Sequence, residues 1–562
     1  MPKCLGSTYD DGDDYVDGGA GNDRMDGGSG DDQIYGRSGD DTLTGGEGDD
    51  LLVPGTGYDI VEGGAGIDTV NYTQDGSQAG WTVTLEQAID AEGVRRGMAF
   101  LTGGAEADLL YDIENVSGSA GDDVIIGSGL DNVLRGYGGN DHIVGGDGND
   151  TIAGGNGVDT LEGGSGRDTV DFRNDSAAVT VILIWGVSSS AGNPGETLVS
   201  FEHAIGSHYD DTMYGDNGSN RLEGGFGDDY IVGLDGNDYL YGGRDNDTLD
   251  GGEGRDRLTG DEGDDTLIGD VKNSERLNGG SGRDTADYSA DTNGVSVLLD
   301  NIDTPGSVDG EVKGVWFPNG PDEPGKVWID TLTDIENVTG GTGDDFIFGT
   351  THRAGNVLRG GGGDDEIIGA GGNDTIFGED GNDTIHVGFG DTEIDGGDGL
   401  DHLFYTDLER GLAIDLAVGS ATFRDDLGDR KQDVIRDIEE VTGTRGDDFI
   451  VGSSGADTLN GGEGDDTIVG GDGDDVIAGG AGLDRIIYNE SDGDDLVYFN
   501  AEEDVLDLTS WGYVSLSELS NDLSQLMSGG MTSVIFYGDP AGDILTLSNT
   551  SLSQLDATNI LI

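Results

Sequence analysis

An aspartate returns every nine residues through much of this chain. Between Gly18 and Val53 the run "GGAGNDRMDGGSGDDQIYGRSGDDTLTGGEGDDLLV" sets Asp23, Asp32, Asp41 and Asp50 at one point of a repeated phrase. The phrase reads G-G-x-G-x-D-x-U-x, with U a large apolar residue. Carboxylates in fixed phase, beside glycines whose backbone other groups approach closely, make a hard oxygen-donor set. Such a set suits calcium, which takes about 6–8 flexible oxygen ligands, better than magnesium, which demands octahedral geometry and keeps its water. Zinc would want His or Cys, and the phrase holds neither.

The phrase keeps its phase over 34 frames, 29 of them with Asp at the sixth position. Seven frames run from Tyr9 to Asn71 without slippage. Further blocks span Gly118–Asp171, Gly206–Asp287, Gly340–Phe404 and Gly443–Ile487. Asn132, Asn220 and Asn356 replace the aspartate in three frames, and Thr392 and the stretch Asn273–Arg276 break two others. Random acidic low complexity does not hold such a register. A fixed internal period decides the architecture.

The elements follow from the nine letters. Glycine and acidic positions in a row make a turn. The last three residues, as in "TLT", "QIY" and "TIV", suit a short strand with β-branched or aromatic flanks. U then points to one side and its neighbours to the other. Two frames make one flattened coil, and stacked coils give two parallel sheets with the U residues between them. A three-residue strand has no stability alone, so stacking is obligatory. Stacked turns bring carboxylates to about 4.8 Å, the strand spacing, where their repulsion calls for a cation.

The composition agrees. The 562 residues include 109 Gly, and 116 Asp plus Glu against 26 Lys plus Arg, for a formal net charge of −90. Alone, such a composition predicts disorder. It disfavours nucleic acid and anionic membranes as partners and favours cations. One cysteine, Cys4, rules out an intramolecular disulfide. No apolar run has the length of a membrane span. The opening "MPKCLGSTYDDGDD" lacks the apolar core of a secretory signal. The expectation is a chain that stays inside, or leaves by a route needing no N-terminal signal.

"GGAGNDRMD", "GGSGDDQIY", "GGEGDDTIV" and "GGDGDDVIA" resemble the RTX, or haemolysin-type, calcium-binding nonapeptide. The resemblance implies a right-handed parallel β-roll with calcium between turns on the same edge. It implies that the sixth-position aspartates are the side-chain ligands and that turn glycines add carbonyls. In the first block these are Asp23, Asp32, Asp41, Asp50, Asp59 and Asp68. In the second they are Asp123, Asp141, Asp150, Asp159 and Asp168. The third holds Asp211, Asp229, Asp238, Asp247, Asp256, Asp265 and Asp284. The fourth holds Asp345, Asp365, Asp374, Asp383 and Asp401, and the fifth Asp448, Asp457, Asp466, Asp475 and Asp484. If each ion joins a turn to the next in its column, about 24 ions is the ceiling and roughly 20 the expectation. Frames near Asn132, Asn220, Asn356 and Thr392 are expected to bind worse.

The expected architecture is all-β. Five roll blocks (1–71, 118–171, 206–287, 340–404 and 443–487) alternate with antiparallel β inserts (72–117, 172–205, 288–339 and 405–442). A β-rich C-terminal region, 488–562, carries one helix. Each insert opens on an aromatic, as in "TVNYTQDG", "TVDFRNDS", "TADYSADT" and "HLFYTDLE". Each continues with alternating apolar residues, which argues strands with one buried face. Three close alike, on "YDIENVSGS", "TDIENVTGG" and "RDIEEVTGT". The fourth, "SFEHAIGSH", is a worn version. This closing motif resembles inserts of bacterial secreted RTX proteins. The inserts are expected to cap one roll and start the next.

All five tryptophans, Trp81, Trp185, Trp316, Trp328 and Trp511, lie outside the roll blocks. They are expected as local core residues, with a carbohydrate platform as the alternative. The proline-rich stretch "TPGSVDGEVKGVWFPNGPDEPG" is an irregular excursion of the kind that carries binding. "SLSELSNDLSQLMSGG", Ser515–Gly530, reads as a helix, with Ser515 and Glu518 as a capping box and leucines at 516, 519, 523 and 526. "VYFNAEEDVLDLTS" and "GDILTLSNTSLSQLDATNILI" resemble the C-terminal region of serralysin-like and other RTX exports, which a type I secretion machine reads uncleaved. Asn559 stands where an acidic residue is usual there.

No H-E-x-x-H and no G-x-S-x-G occurs, so protease and lipase motifs are missing. The six histidines are scattered, and carboxylate pairs such as Asp49–Asp50 and Asp465–Asp466 belong to the repeated phrase. The expectation is therefore a secreted calcium-binding protein, structural or adhesive in role and not an enzyme. Its partners are calcium and, through the resemblance, type I secretion machinery, with a cell-surface glycan as a further candidate. The alternatives are a polysaccharide-binding or surface-layer-like module, or the RTX tail of a hydrolase.

Overall fold

The computed structural model describes residues 4–6, 12–74, 79–89, 95–104, 106–190, 193–270, 273–299, 313–316, 329–350, 355–405, 408–425, 428–489, 492–511, 519, 523–528, 531–537 and 544–562. The chain divides into two compact units, Met1–Ile268 with Asn278–Gly282, and Gly269–Leu277 with Arg283–Ile562. Each is a parallel β-solenoid with almost no helix among the described residues.

The nine-letter phrase builds the coil as its chemistry requires. Strands pair in parallel at a separation of 18 residues, so two frames make one coil: Met25 lies beside Leu43 and Ile34 beside Leu52. Consecutive frames alternate between two sheets, and every U residue of the first block after Val16 is fully buried between them. Strands are not uniformly three residues long. Arg24–Ser29 and Thr42–Glu47 extend through the Gly-Gly pair, whereas Gln33–Tyr35 and Leu51–Val53 do not. The glycines carry no side chain to keep the backbone of adjacent coils apart. At Gly46 the backbone has φ +127, and an added Cβ would strike the Gly28 carbonyl of the previous coil.

The inserts are antiparallel, as expected, but they do not cap the rolls. In the first unit Ile60–Ala65 pairs in parallel with Ala107–Tyr111. That strand pairs antiparallel with Arg95–Leu101, which pairs with Trp81–Ile89, which is parallel to Val124–Ile126 of the next block. In the other sheet Thr69–Asn71, Asn115–Ser117 and Val133–Gly138 are direct parallel neighbours. The second insert repeats this arrangement between Thr160–Ser165 and Thr212–Tyr214. In the second unit the fourth insert does so between Glu393–Asp398 and Phe449–Val451. Each of these inserts thus adds strands within a continuing sheet. Its closing motif supplies the coil: Ile113 and Val116 are buried as U residues are, and so are Ile438 and Val441.

The C-terminal region follows the same pattern. Val476–Ala481, Leu496–Tyr498 and Ile544–Ser548 are parallel neighbours. Met531–Tyr537 and Leu523–Ser528 continue antiparallel from them. Residues 523–528, expected in the helix over Ser515–Gly530, are therefore strand. Leu519 is helical, and 512–518, 520–522 and 529–530 lie outside the described residues. Trp81 is fully buried and stacks on Tyr72 with ring centroids 4.2 Å apart. Trp511 leans on Tyr488, whereas Trp185 is 74% exposed. The side chains of Trp316 and Trp328, and the proline-rich stretch apart from the strand Lys313–Trp316, lie outside the described residues. No helix among the described residues is long and apolar enough to cross a membrane.

Candidate metal centre: the aspartate columns

The turn sets each sixth-position aspartate over the end of its own coil. All 28 aspartates named above are buried, none more than 4% exposed. They form columns along the solenoid edges. The backbone N–H of Asp23 donates to Asp41 Oδ1 at 2.7 Å, and that of Asp41 to Asp59 Oδ1 at 2.7 Å. On the other edge Asp32 donates to Asp50 and Asp50 to Asp68. Asp123, Asp141 and Asp159 repeat the ladder, as do Asp211, Asp229, Asp247 and Asp265. Asp345, Asp365, Asp383 and Asp401 follow, and Asp448, Asp466 and Asp484. Consecutive frames sit in different columns, so Asp32 and Asp41 are not brought together, but Asp32 and Asp50 are.

Only half of each carboxylate is used in this way. The second oxygen, Oδ2, accepts no hydrogen bond in Asp32, Asp41, Asp50, Asp141, Asp150, Asp229, Asp238, Asp247, Asp365, Asp383, Asp466 or Asp475, and it is buried in every one. Buried unsatisfied oxygens are uncommon in folded proteins, and here they are periodic. Each lies against the first glycine of its frame. A Cβ on Gly45 would land on Asp50 Oδ2 and on the Gly63 carbonyl of the next coil. Gly461 would meet Asp466 Oδ2 and the Gly479 carbonyl in the same way. A carboxylate oxygen and a carbonyl thus share a pocket that only glycine leaves open.

Burial opposes the charge these groups carry. It pushes Asp41 and Asp50 up to about 6, Asp68 and Asp466 to about 7, and Asp59, Asp141, Asp229, Asp247 and Asp365 to about 8, with neighbouring aspartates adding to the rise. A divalent cation reverses this by giving the carboxylates a counter-charge. Among the described residues no three His, Cys, Asp or Glu side chains converge as a metal cluster. A bound ion must therefore draw on turn carbonyls beside the carboxylates, which is calcium's donor set rather than zinc's. The residues fit calcium.

The columns also contain carboxylates that the phrase does not reveal. The N–H of Asp59 donates to Asp108 Oδ1 at 2.9 Å and that of Asp68 to Glu114 Oε2 at 3.0 Å. Glu202, Glu336 and Glu439 take the place of Glu114 in the later inserts. Asp330 and Asp433 take that of Asp108. Asp495 extends a fifth-block column beyond Asp475. The glutamates are those of the closing motifs, so the repeated I-E-N-V was the available signal. His203 and His208, close in sequence, serve no common site: His203 Nδ1 accepts from the Arg221 N–H, and His208 packs edge-on to Phe226.

The RTX calcium-binding nonapeptide repeat pattern matches residues 9–43, 26–61, 35–70, 111–141, 135–170, 205–240, 214–249, 241–271, 331–351, 359–394, 377–405, 437–468 and 460–490. Together these matches cover more than half of the chain. The chain belongs to the RTX repeat family. Its RTX frames and the aspartate columns coincide along the coil edges. No curated protein matches the chain. Among solved structures, the extracellular lipase LipA from Serratia marcescens is 15% identical, with a TM-score of 0.15 over 61% of this chain and 42% of the lipase. The RTX chain thus spans less than half the length of that lipase.

Proposed function

We propose that this RTX protein is secreted and folds on calcium outside the cell, where the calcium-loaded solenoid itself is the product, as a structural or adhesive element. The observation that carries this reading is the periodic row of buried Oδ2 atoms without hydrogen-bond partners. A chain that needs many ions to fold stays extended where calcium is scarce and compacts where it is plentiful, so export and folding are separated in space.

Sites with both carboxylate oxygens already hydrogen-bonded should not bind, which lowers the expected load to roughly 15–20 ions. Native mass spectrometry of the calcium-saturated chain is expected to return that count. Asp50→Asn should lower it by roughly one or two, because an amide oxygen is a weaker calcium ligand than a carboxylate. A saturated chain holding only a few ions would overturn the reading.

The similarity of 488–562 to RTX export regions supports type I secretion. Co-expressed with a type I machine, the full chain is expected in the medium and a chain ending at Ile487 inside the cell. Equal export of both would remove the C-terminal region from the route.

A further inference from the structure

Every frame that lacks the sixth-position aspartate adjoins an insert. Asn132, Asn220 and Asn356 each occupy the second frame after one. There the oxygen accepts the frame's own backbone N–H, from Ser128, Asp216 or Thr350. The Nδ2 donates to the carbonyl of the insert's glutamate, Glu114, Glu202 or Glu336. Thr392 lies on the other side, in the last but one frame before the fourth insert, and Glu275 holds the corresponding place before the third.

The aspartates that follow the inserts differ from the rest as well, whereas those before them, such as Asp59, Asp68, Asp159 and Asp168, keep a buried Oδ2 without a hydrogen-bond partner. In the first frame after each insert both carboxylate oxygens are engaged. Asp123 accepts from the N–H groups of Trp81 and Ser119, Asp211 from Val179 and Ser207, and Asp448 from Leu412 and Thr444.

Inside the inserts a buried hydroxyl fills the remaining position. Tyr72 Oη donates to Asp108 Oδ2 at 3.2 Å, Tyr288 Oη to Asp330 Oδ2 at 3.2 Å and Tyr405 Oη to Asp433 Oδ2 at 2.8 Å. In the second insert Phe172 stands at the tyrosine's place, and Ser188 Oγ donates instead to Glu196 Oε2 at 2.6 Å. Glu196 is the equivalent of Asp108, one residue before the strand position that pairs back to Asp159. The same substitution of a protein donor for an ion thus occurs at four separate inserts, with two different side chains.

We propose that each insert, with the two frames that follow it, is an ion-independent joint, which remains folded at calcium concentrations where the runs of open aspartates have come apart. The runs then close onto joints whose register is already set. This inference rests on the calcium reading of the open frames.

Hydrogen exchange with mass spectrometry on the full chain, in chelator and across a calcium titration, tests it. Amides of residues 79–89, 95–104, 106–117, 179–190, 193–211, 408–425 and 428–448 are expected to stay protected in chelator, while those of 24–65, 224–262 and 360–386 exchange freely. Tyr405→Phe removes one hydroxyl and leaves the roll aspartates untouched. It should speed exchange across 408–425 and 428–448 in chelator by about tenfold, the scale of a lost buried hydrogen bond to a carboxylate, and leave it unchanged at saturating calcium. Ser188→Ala should act likewise on 179–190 and 193–211 alone. If insert and roll amides open together at one calcium concentration, the joints are not independent and the calcium reading stands. If the whole chain stays protected in chelator, both fall.

Discussion

In excess chelator at neutral pH the chain is expected to lose most of its β-sheet circular dichroism, and millimolar calcium to restore it. The size of the effect follows from the number of sites. An ion at a hundred times its dissociation constant stabilises the folded form by about 2.7 kcal/mol, if it binds only that form. Roughly 15–20 such ions supply tens of kcal/mol, whereas a folded domain has a net stability of about 5–15 kcal/mol. No packing term offsets the loss of that contribution, because a coil buries its two U side chains and few other apolar ones, such as Tyr35 and Val53, against two strongly acidic turns. The formal charge of −90 acts in the same direction once the ions leave. The transition should therefore approach all-or-none over the roll blocks. A compact β spectrum kept in chelator, with no metal retained by elemental analysis, would sink the account of how the columns hold together.

The coil was legible because its period is strict. U residues are buried and sixth-position aspartates line up 18 residues apart, since the phrase alone fixes which way each side chain points. The inserts were less legible for a physical reason. Asp108, Asp330 and Asp433 meet the column at separations of 49, 55 and 41 residues from their partners Asp59, Glu275 and Thr392. Hairpins of different length come between, so no fixed spacing marks these carboxylates. Glu114 and its counterparts stood in a motif that was visible, but a glutamate within an insert gives no sign that it belongs to a column of aspartates. The helix expected over Ser515–Gly530 rested on leucine spacing and a capping box. The same letters "LSQLMS" also serve as a strand, and a neighbouring strand at Met531–Tyr537 decides between the two. Local propensity is a weak prior against such pairing. The breaks at Asn132 and Thr392 read in sequence as decay of the repeat. In the structure Asn132 accepts the Ser128 N–H and donates to the Glu114 carbonyl, so a neutral amide already satisfies the neighbouring backbone, and Thr392 lies beside the insert through its N–H bond to Asp433.

Acid should partly replace calcium. In chelator, lowering the pH from about 8 towards 4 is expected to bring back β-sheet dichroism that is missing at pH 8. The sign follows from the buried aspartates. Asp59, Asp141, Asp229, Asp247 and Asp365 are pushed up to about 8 in the folded chain by burial, whereas an unfolded aspartate titrates near 4. Between those values the folded state binds more protons than the unfolded one, so stability falls as pH rises. The contribution is complete below about 4 and is lost as pH climbs through the 6 to 8 range of the columns. A proton placed on a buried Oδ2 removes the charge that burial opposes, and it lowers the repulsion between coils. Protons and calcium then compete for the same oxygens, so the calcium midpoint should rise as the pH falls. Sedimentation at each pH separates refolding from aggregation, to which a chain losing its net charge is prone. A metal-free chain whose β signal grows with rising pH, or ignores it, would show that the columns are not protonated in the folded state, and the burial that drives the calcium requirement would need another explanation.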